Sequence, residues 1–154
     1  IQNTSERFES QWGIVKIAKS PSIMLKDMEG SILGIWSAHG GGRLYCKDPK
    51  ILSDARRQGL TPVAYVDDEG KPTEKYRFNP NGSPFGITAF CSRDGRHLAM
   101  MPHPERSFLL WQWPWIPEEW KSKKWKSVVG DYVLWHSPWL KIFQNAREWC
   151  ERRP

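Results

Sequence analysis

Five short apolar segments in the first two thirds of the chain have the composition of β-strands. β-branched and aromatic residues dominate them and Gly, Pro, Asn or Asp residues bound them, which is typical of strands. The segments are residues 12–18, 31–36, 62–66, 86–91 and 97–101. The polar residues 92–96, which include Asp94-Gly95, join the last two segments, so we expect these two strands to form a hairpin.

Two other segments predict helices. Asp48 and Pro49 are typical of a helix N-cap and first helical position, and this helix should run from Lys50 to Gln58 before Gly59 ends it. Strands separated by helices favour the α/β class of folds. The hairpin should make the sheet mixed rather than purely parallel.

The second helix is predicted at the C-terminus, with Ser137 as its N-cap and Pro138 at its first position. Apolar residues recur there at helical spacing and should form one buried face. This face comprises Trp139, Ile142, Phe143, Ala146, Trp149 and Cys150.

Residues 111–136 hold six of the ten Trp residues and a Lys-rich run at 121–126, without a clean period, and we predict a loop-rich region. Trp rings with basic neighbours could form a stacking platform for single-stranded nucleic acid. Alternatively, the rings pack against the C-terminal helix or against another domain. The net charge of +6 is spread over many segments, which favours the second interpretation and argues against a nucleic-acid partner.

The length of 154 residues leaves room for about one domain. The apolar run at 98–101 is far shorter than the ~18–20 residues that cross a bilayer, so we expect no membrane partner. Cys46, Cys91 and Cys150 are widely spaced and form no CxxC pair, which indicates reduced thiols and a cytoplasmic location. The first residues are polar and lack an initiator Met, so we interpret the chain as a fragment or a processed piece.

The most informative stretch follows the last predicted strand. His103 comes at the carboxyl end of that strand, where open α/β sheets place ligand-handling groups. Glu105 is two residues further, on the same side of an extended backbone, so its carboxylate should accept a hydrogen bond from one imidazole nitrogen and leave the other as a base. Pro102 and Pro104 restrict the backbone around this pair. The pair is either the base and orienter of a nucleophile–His–acid triad or a histidine packed in a turn beside a solvated glutamate.

Two loops and one cysteine are further candidate parts of a site. The glycines 40–42 follow a strand and let backbone N–H groups approach a ligand, although a plain turn is the simpler interpretation. Residues 79–84 are most simply interpreted as a turn, and alternatively as the edge of a backbone-lined pocket. Cys91 lies inside the predicted hairpin rather than on an exposed elbow, so we do not expect it to be the nucleophile for His103.

Eight collinear segments carry a resemblance to a known family. They are residues 3–10, 30–31, 36–40, 65–68, 79–84, 94–106, 111–113 and 137–139. They follow one another as they do in the phosphoribosylformylglycinamidine synthases, in the large single-chain form of the enzyme. Over nearly all of residues 1–154 the chain resembles the C-terminal part of the class I glutamine amidotransferase (glutaminase) domain of that family.

The resemblance implies a Rossmann-like class I glutamine amidotransferase fold, of which this chain would be the C-terminal half. It also implies the family's activity, in which glutamine hydrolysis supplies ammonia for the ATP-dependent conversion of formylglycinamide ribonucleotide to formylglycinamidine ribonucleotide in purine biosynthesis. By this resemblance, His103 protonates the departing ammonia and then activates water, while Glu105 orients His103. The loop formed by Ala38, His39, Gly40 and Gly41 resembles the turn that lines the glutamine pocket.

Further expectations concern what lies outside the chain. The nucleophilic cysteine lies N-terminal to residue 1 in the family, so the isolated chain should be inactive. ATP and magnesium belong to other domains of the parent enzyme, and we assign no cofactor or metal residue here. The expected partners are glutamine, the synthetase domain and the N-terminal half of the glutaminase domain; a non-catalytic interaction domain is the alternative.

Two features depart from the family pattern. The family usually has an acidic residue where Gly41 stands, so a charge near the glutamine pocket is expected to be missing. The basic stretch 121–136 is longer than the family pattern.

Overall fold

A three-stranded antiparallel sheet forms the centre of the structure, a computed structural model that describes residues 1–121, 126–129 and 132–152. Strand β1 (Glu9–Ile17) lies between β2 (Ile32–His39) and β3 (Val63–Tyr65). One face of this sheet is the core, because its apolar side chains alternate along each strand. The buried residues of this face include Val15, Ile17, Leu33, Ile35, Val63 and Tyr65.

Strands β4 (Ala89–Cys91) and β5 (Leu98–Met100) pair in an antiparallel hairpin, which confirms the predicted hairpin. Gly95 occupies its turn with a φ of +71°, a conformation that glycine adopts without steric cost. Single bridges connect this hairpin to the central sheet on both sides, from Ile87 to Ala64 and from His103 to Trp36. The second bridge holds the chain after β5 against β2.

Helix α1 (Pro49–Arg57) begins where the sequence predicts. The Asp48 carboxylate accepts a hydrogen bond from Lys50 N at 2.9 Å, so Asp48 is the N-cap and Pro49 stands at the start of the helix. After α1 the chain returns to the sheet as β3. Because β1 separates β2 from β3, α1 joins two parallel strands that are not neighbours.

The prediction of a mixed sheet is wrong for the described part of the chain. Every strand pair there is antiparallel, although the chain keeps the predicted α/β character. The reason is the position of β1, which occupies the place where β2 and β3 would otherwise pair in parallel.

Helix α2 (Leu140–Glu151) begins two residues later than predicted. Ser137 and Pro138 precede it in a turn, in which Ser137 Oγ accepts from Trp139 N at 3.1 Å. The same hydroxyl donates to Ser107 O, so Ser137 is bound to the chain after His103 and its position is set by that contact.

The buried face of α2 also differs from the prediction. Trp139 and Ile142 are buried as expected, but Phe143 and Cys150 are exposed. Asn145 is buried instead, and its Nδ2 donates to Met24 O at 2.9 Å and to Lys26 O at 2.8 Å. The stripe at 139, 142 and 145 therefore faces the core, because the Asn145 amide caps carbonyls of the 22–28 turns.

The Trp-rich region holds a hairpin that the sequence did not predict, formed by β6 (Lys126–Val129) and β7 (Tyr132–Trp135). Most of the Lys-rich run, residues 122–125, lies outside the described residues. The rings of Trp12, Trp36, Trp113 and Trp120 contact one another edge to face, with centroids 4.8–5.1 Å apart. Trp111 and Trp115 are 75% and 71% exposed, so the predicted packing of the Trp rings holds for only part of the set.

Among the described residues, no helix is long and apolar enough to span a membrane.

Candidate active site

His103 is fixed by the edge of the central sheet. Its backbone N–H donates to Trp36 O of β2 at 2.8 Å, and its carbonyl accepts from Ser107 Oγ at 3.0 Å. Ser107 O in turn accepts from Trp113 Nε1 and from Ser137 Oγ. Hydrogen bonds thereby connect the backbone around His103 to β2, to Trp113 and to the turn that precedes α2.

The Glu105 carboxylate lies against the His103 ring. Nδ1 of His103 and Oε1 of Glu105 are 2.6 Å apart, which is the predicted contact. The expected extended backbone is wrong, because Pro104–Arg106 forms a 3₁₀ turn. The turn, rather than strand alternation, brings Glu105 back to His103, since Pro104 favours the first position of such a turn.

This arrangement defines the proton chemistry of the His103 ring. A carboxylate at Nδ1 holds the proton there and orients the ring, which leaves Nε2 to accept or donate a proton. No described residue hydrogen-bonds to Nε2. The side chain is 26% exposed, so a group that approaches from outside can reach it. The pair has the geometry of a general base with its orienting acid.

Ala38 and His39 of the predicted loop are the last residues of β2, and a cavity of about 380 Å³ opens between β2 and the chain that follows Glu105. Residues 36–38 line one side of the cavity, and Arg106, Trp111 and Gln112 line the other. Ala38 is half-buried at the edge of the cavity, and Gly40 and Gly41 lie nearer the surface than His39. The structure therefore brings three of the four predicted loop residues to accessible positions.

His39 has a different placement, because its side chain is buried beneath the loop. A Cβ on Gly42 would lie 2.0 Å from Cδ2 of the His39 ring, so the ring fits only because residue 42 is glycine. Burial lowers the pKa of His39, the nearby His103 lowers it further, and Glu9 opposes both effects. The ring is thus favoured in its neutral form, underneath the segment that it supports.

Two asparagines, Asn3 and Asn81, bind the same loop. Asn3 and Asn81 are buried, and their amides bond to backbone groups of residues 39–42. Both lie in segments that carry the family resemblance, 3–10 and 79–84, but the residue pattern assigns neither of them a role. Asparagine in a polar terminal segment is normally a surface residue, so the burial of Asn3 is not predictable from its neighbours.

The three thiols provide no partner for His103. Burial raises the pKa of Cys91, whose Sγ points to Gly59 O. Cys46 bonds to Asp48 O, and Cys150 is exposed on α2. No described cysteine forms a hydrogen bond with His103. The sequence predicted that Cys91 is not its nucleophile, and the position of Cys91 agrees with this. Among the described residues there is also no cluster of three His, Cys, Asp or Glu side chains that could hold a metal ion.

The free energy of unfolding should depend on His39 at mildly acidic pH. Its pKa lies below the usual 6.5 in the folded state, so the unfolded chain binds the proton first as the pH falls. The stability that the neutral ring contributes is therefore present above about pH 6.5 and is lost as the pH falls through the folded pKa. Urea unfolding at several values from about pH 7.5 to about pH 5 should show a shallower loss of stability in His39→Gln than in the wild type. Equal pH dependence in the two proteins would contradict this assignment.

Comparison with known proteins defines the class of protein. The family of CobB/CobQ-like glutamine amidotransferase domains matches residues 1–150, and the chain belongs to this family. A solved PurLQS structure from Thermotoga maritima has the same fold, with a TM-score of 0.59 at 22% identity. The match covers 97% of this chain and 51% of that one. The predicted glutamine amidotransferase fold is thus confirmed.

Curated relatives narrow the class to one group of enzymes. The chain is 54% identical to phosphoribosylformylglycinamidine synthase of Dictyostelium discoideum and 46% identical to that of Homo sapiens, over 98% and 96% of its length. A probable chloroplastic or mitochondrial phosphoribosylformylglycinamidine synthase of Arabidopsis thaliana is 56% identical. These matches confirm the resemblance found in the sequence. The chain spans only about a tenth of each relative, 10–11% of their lengths.

Proposed function

We propose that this chain supplies the base-bearing part of the glutaminase site in a phosphoribosylformylglycinamidine synthase. Glutamine hydrolysis there would supply ammonia for the ATP-dependent conversion of formylglycinamide ribonucleotide to formylglycinamidine ribonucleotide. The observation that carries this proposal is the 2.6 Å contact between His103 Nδ1 and Glu105 Oε1, on a segment bonded to β2, in a member of the glutamine amidotransferase family.

The reaction needs a thiolate from outside these 154 residues. The thiolate attacks the carboxamide carbon of glutamine, and Nε2–H of His103 protonates the departing nitrogen, so that ammonia leaves and a glutamyl thioester remains. The neutral ring then takes a proton from water as the oxygen attacks the thioester. Glutamate and the thiolate are released, and His103 is protonated for the next cycle.

The backbone of the loop residues would bind the α-carboxylate of glutamine. The N–H groups of Gly40 and Gly41 have no acceptor among the described residues, whereas Gly40 O and both backbone groups of Gly42 are bonded. Backbone amides of this kind suit a carboxylate. The buried ring of His39 would contribute only indirectly. ATP and magnesium would be held by other domains of the parent enzyme.

Release of glutamate from glutamine tests the proposal. The assay compares the 154-residue chain with the same chain extended upstream far enough to include the expected cysteine elbow. We expect activity only in the extended protein, because a base without a thiolate in reach supplies little rate. An extended protein that is folded, joined to its synthetase and still inactive would exclude this function.

A further inference from the structure

We infer that Asn3 is a positioning residue of the glutamine pocket, because its buried side chain clamps the loop whose Gly40 and Gly41 amides remain available for a ligand. The inference rests on the proposed function and extends it to a residue far from His103 in sequence. Asn3 touches neither His103 nor Glu105 through any hydrogen bond of the described residues, so its effect would pass through the loop.

Both the Nδ2 donor group and the Oδ1 acceptor of the Asn3 side chain form hydrogen bonds with the backbone. Nδ2 donates to His39 O at 2.6 Å and to Arg7 O at 2.9 Å, and Oδ1 accepts from Gly42 N at 3.0 Å. The backbone N–H of Asn3 adds a bond to Gly40 O at 2.9 Å. Asn3 thus holds the loop at both ends and in the middle.

Asn81 completes the clamp from the opposite side. Its Nδ2 donates to Gly42 O at 2.9 Å, and its backbone carbonyl oxygen accepts from Thr4 N at 3.2 Å. The Asn81 amide also lies 3.4 Å from Nε2 of the buried His39 ring. The two asparagines are therefore joined to each other through Thr4, and between them they bind four backbone groups of residues 39–42.

The chemistry of position 3 requires an amide. Asn3 is 2% exposed, so water cannot replace a lost donor, and the carbonyl oxygens of Arg7 and His39 would each lose a hydrogen bond. An aspartate has nearly the same shape but cannot donate, and its charge would face the carbonyls of Arg7 and His39. Asn3→Asp should release the loop while it leaves the volume of the core unchanged.

The chain offers a matched control in Asn145. This second asparagine is 4% exposed on α2, and its Nδ2 also donates to two backbone carbonyls, those of Met24 and Lys26. Asn145→Asp therefore removes the same kind of bonds from a part of the fold that does not touch the loop. The two variants should lose similar stability, so a difference in activity would report the loop rather than folding.

The test uses the full-length synthase with three readouts. These are the KM and kcat for glutamine, product formation with ammonia in place of glutamine, and hydrogen exchange of peptides that cover residues 38–44. We expect Asn3→Asp to raise the KM for glutamine roughly tenfold or more, because the buried hydrogen bonds from Asn3 Nδ2 to Arg7 O and His39 O are lost. Exchange in the loop should become faster, and ammonia-dependent synthesis should stay at the wild-type rate. Asn145→Asp should retain the wild-type KM.

Two results would overturn the inference in different ways. If Asn3→Asp and Asn145→Asp change the KM for glutamine equally, or not at all, while the wild type releases glutamate, Asn3 has no positioning role. If the wild type releases no glutamate but makes product from ammonia, the proposed glutaminase function is itself wrong, and the inference about Asn3 is wrong with it.

Discussion

Replacement of His103 by alanine in the full-length synthase is expected to lower glutamine-dependent activity by roughly two to four orders of magnitude, the usual contribution of a general acid–base residue. In the proposed mechanism this ring protonates the leaving nitrogen and then activates water. Oε1 of Glu105 lies 2.6 Å from its Nδ1. Product formation from added ammonia should remain at the wild-type rate, because ammonia bypasses glutamine hydrolysis. Steady-state assays with each nitrogen source measure both quantities.

Two variants control this prediction. His97→Ala removes an exposed histidine that lies just before β5, and it should leave both activities unchanged. Glu105→Gln keeps the size of the side chain but removes its charge, so it should lower glutamine-dependent activity less than His103→Ala does. If His103→Ala retains full glutamine-dependent activity, His103 is a histidine packed in a turn and the proposed function fails.

The largest loss of stability is expected from Trp139→Ala, at about 3–5 kcal/mol of unfolding free energy. Trp139 is fully buried at the start of α2, and its Nε1 donates to Gly34 O of β2 at 2.8 Å. The substitution therefore opens a cavity, leaves the Gly34 carbonyl unpaired and separates the helix from the sheet. Urea unfolding followed by circular dichroism measures the effect without dependence on Trp fluorescence.

Trp111→Ala is the matched control for this measurement. Trp111 is 75% exposed, so its removal should change the unfolding free energy by no more than about 0.5 kcal/mol. Equal losses from the two variants would show that Trp111 packs against something in solution or that Trp139 is not the main contact of α2. A loss confined to Trp139 would support the burial seen here.

Local signals in the sequence predicted the parts of the fold that local chemistry controls. The Asp48-Pro49 start of α1 is set by one side-chain bond over two residues, and the hairpin turn is set by Gly95. Helix α2 was predicted, but its start and part of its buried face were not. Ser137 binds Ser107, 30 residues away, and Asn145 binds carbonyls 119 and 121 residues away. Helical spacing carries no information about such contacts.

The candidate site divides in the same way. The contact of His103 with Glu105 was predicted because both residues lie within one short segment rich in proline, even though the backbone forms a 3₁₀ turn rather than a strand. The burial of His39 was not predicted, and neither was the clamp formed by Asn3 and Asn81. Their bonds to the loop join residues 36 to 42 positions apart.

The amino-acid sequence was sufficient to recognise the family, from eight short segments in their order along the chain, and to predict the turn of the β4–β5 hairpin and the contact of His103 with Glu105. The turn and the contact each depend on residues close together in the sequence, where spacing and backbone preference limit the geometry. Which polar residues are buried, and which backbone groups they bind, depends on long-range packing and becomes visible in the folded chain. A buried amide gains its stability from backbone groups that folding brings to it, and nothing near Asn3 in the sequence specifies those partners.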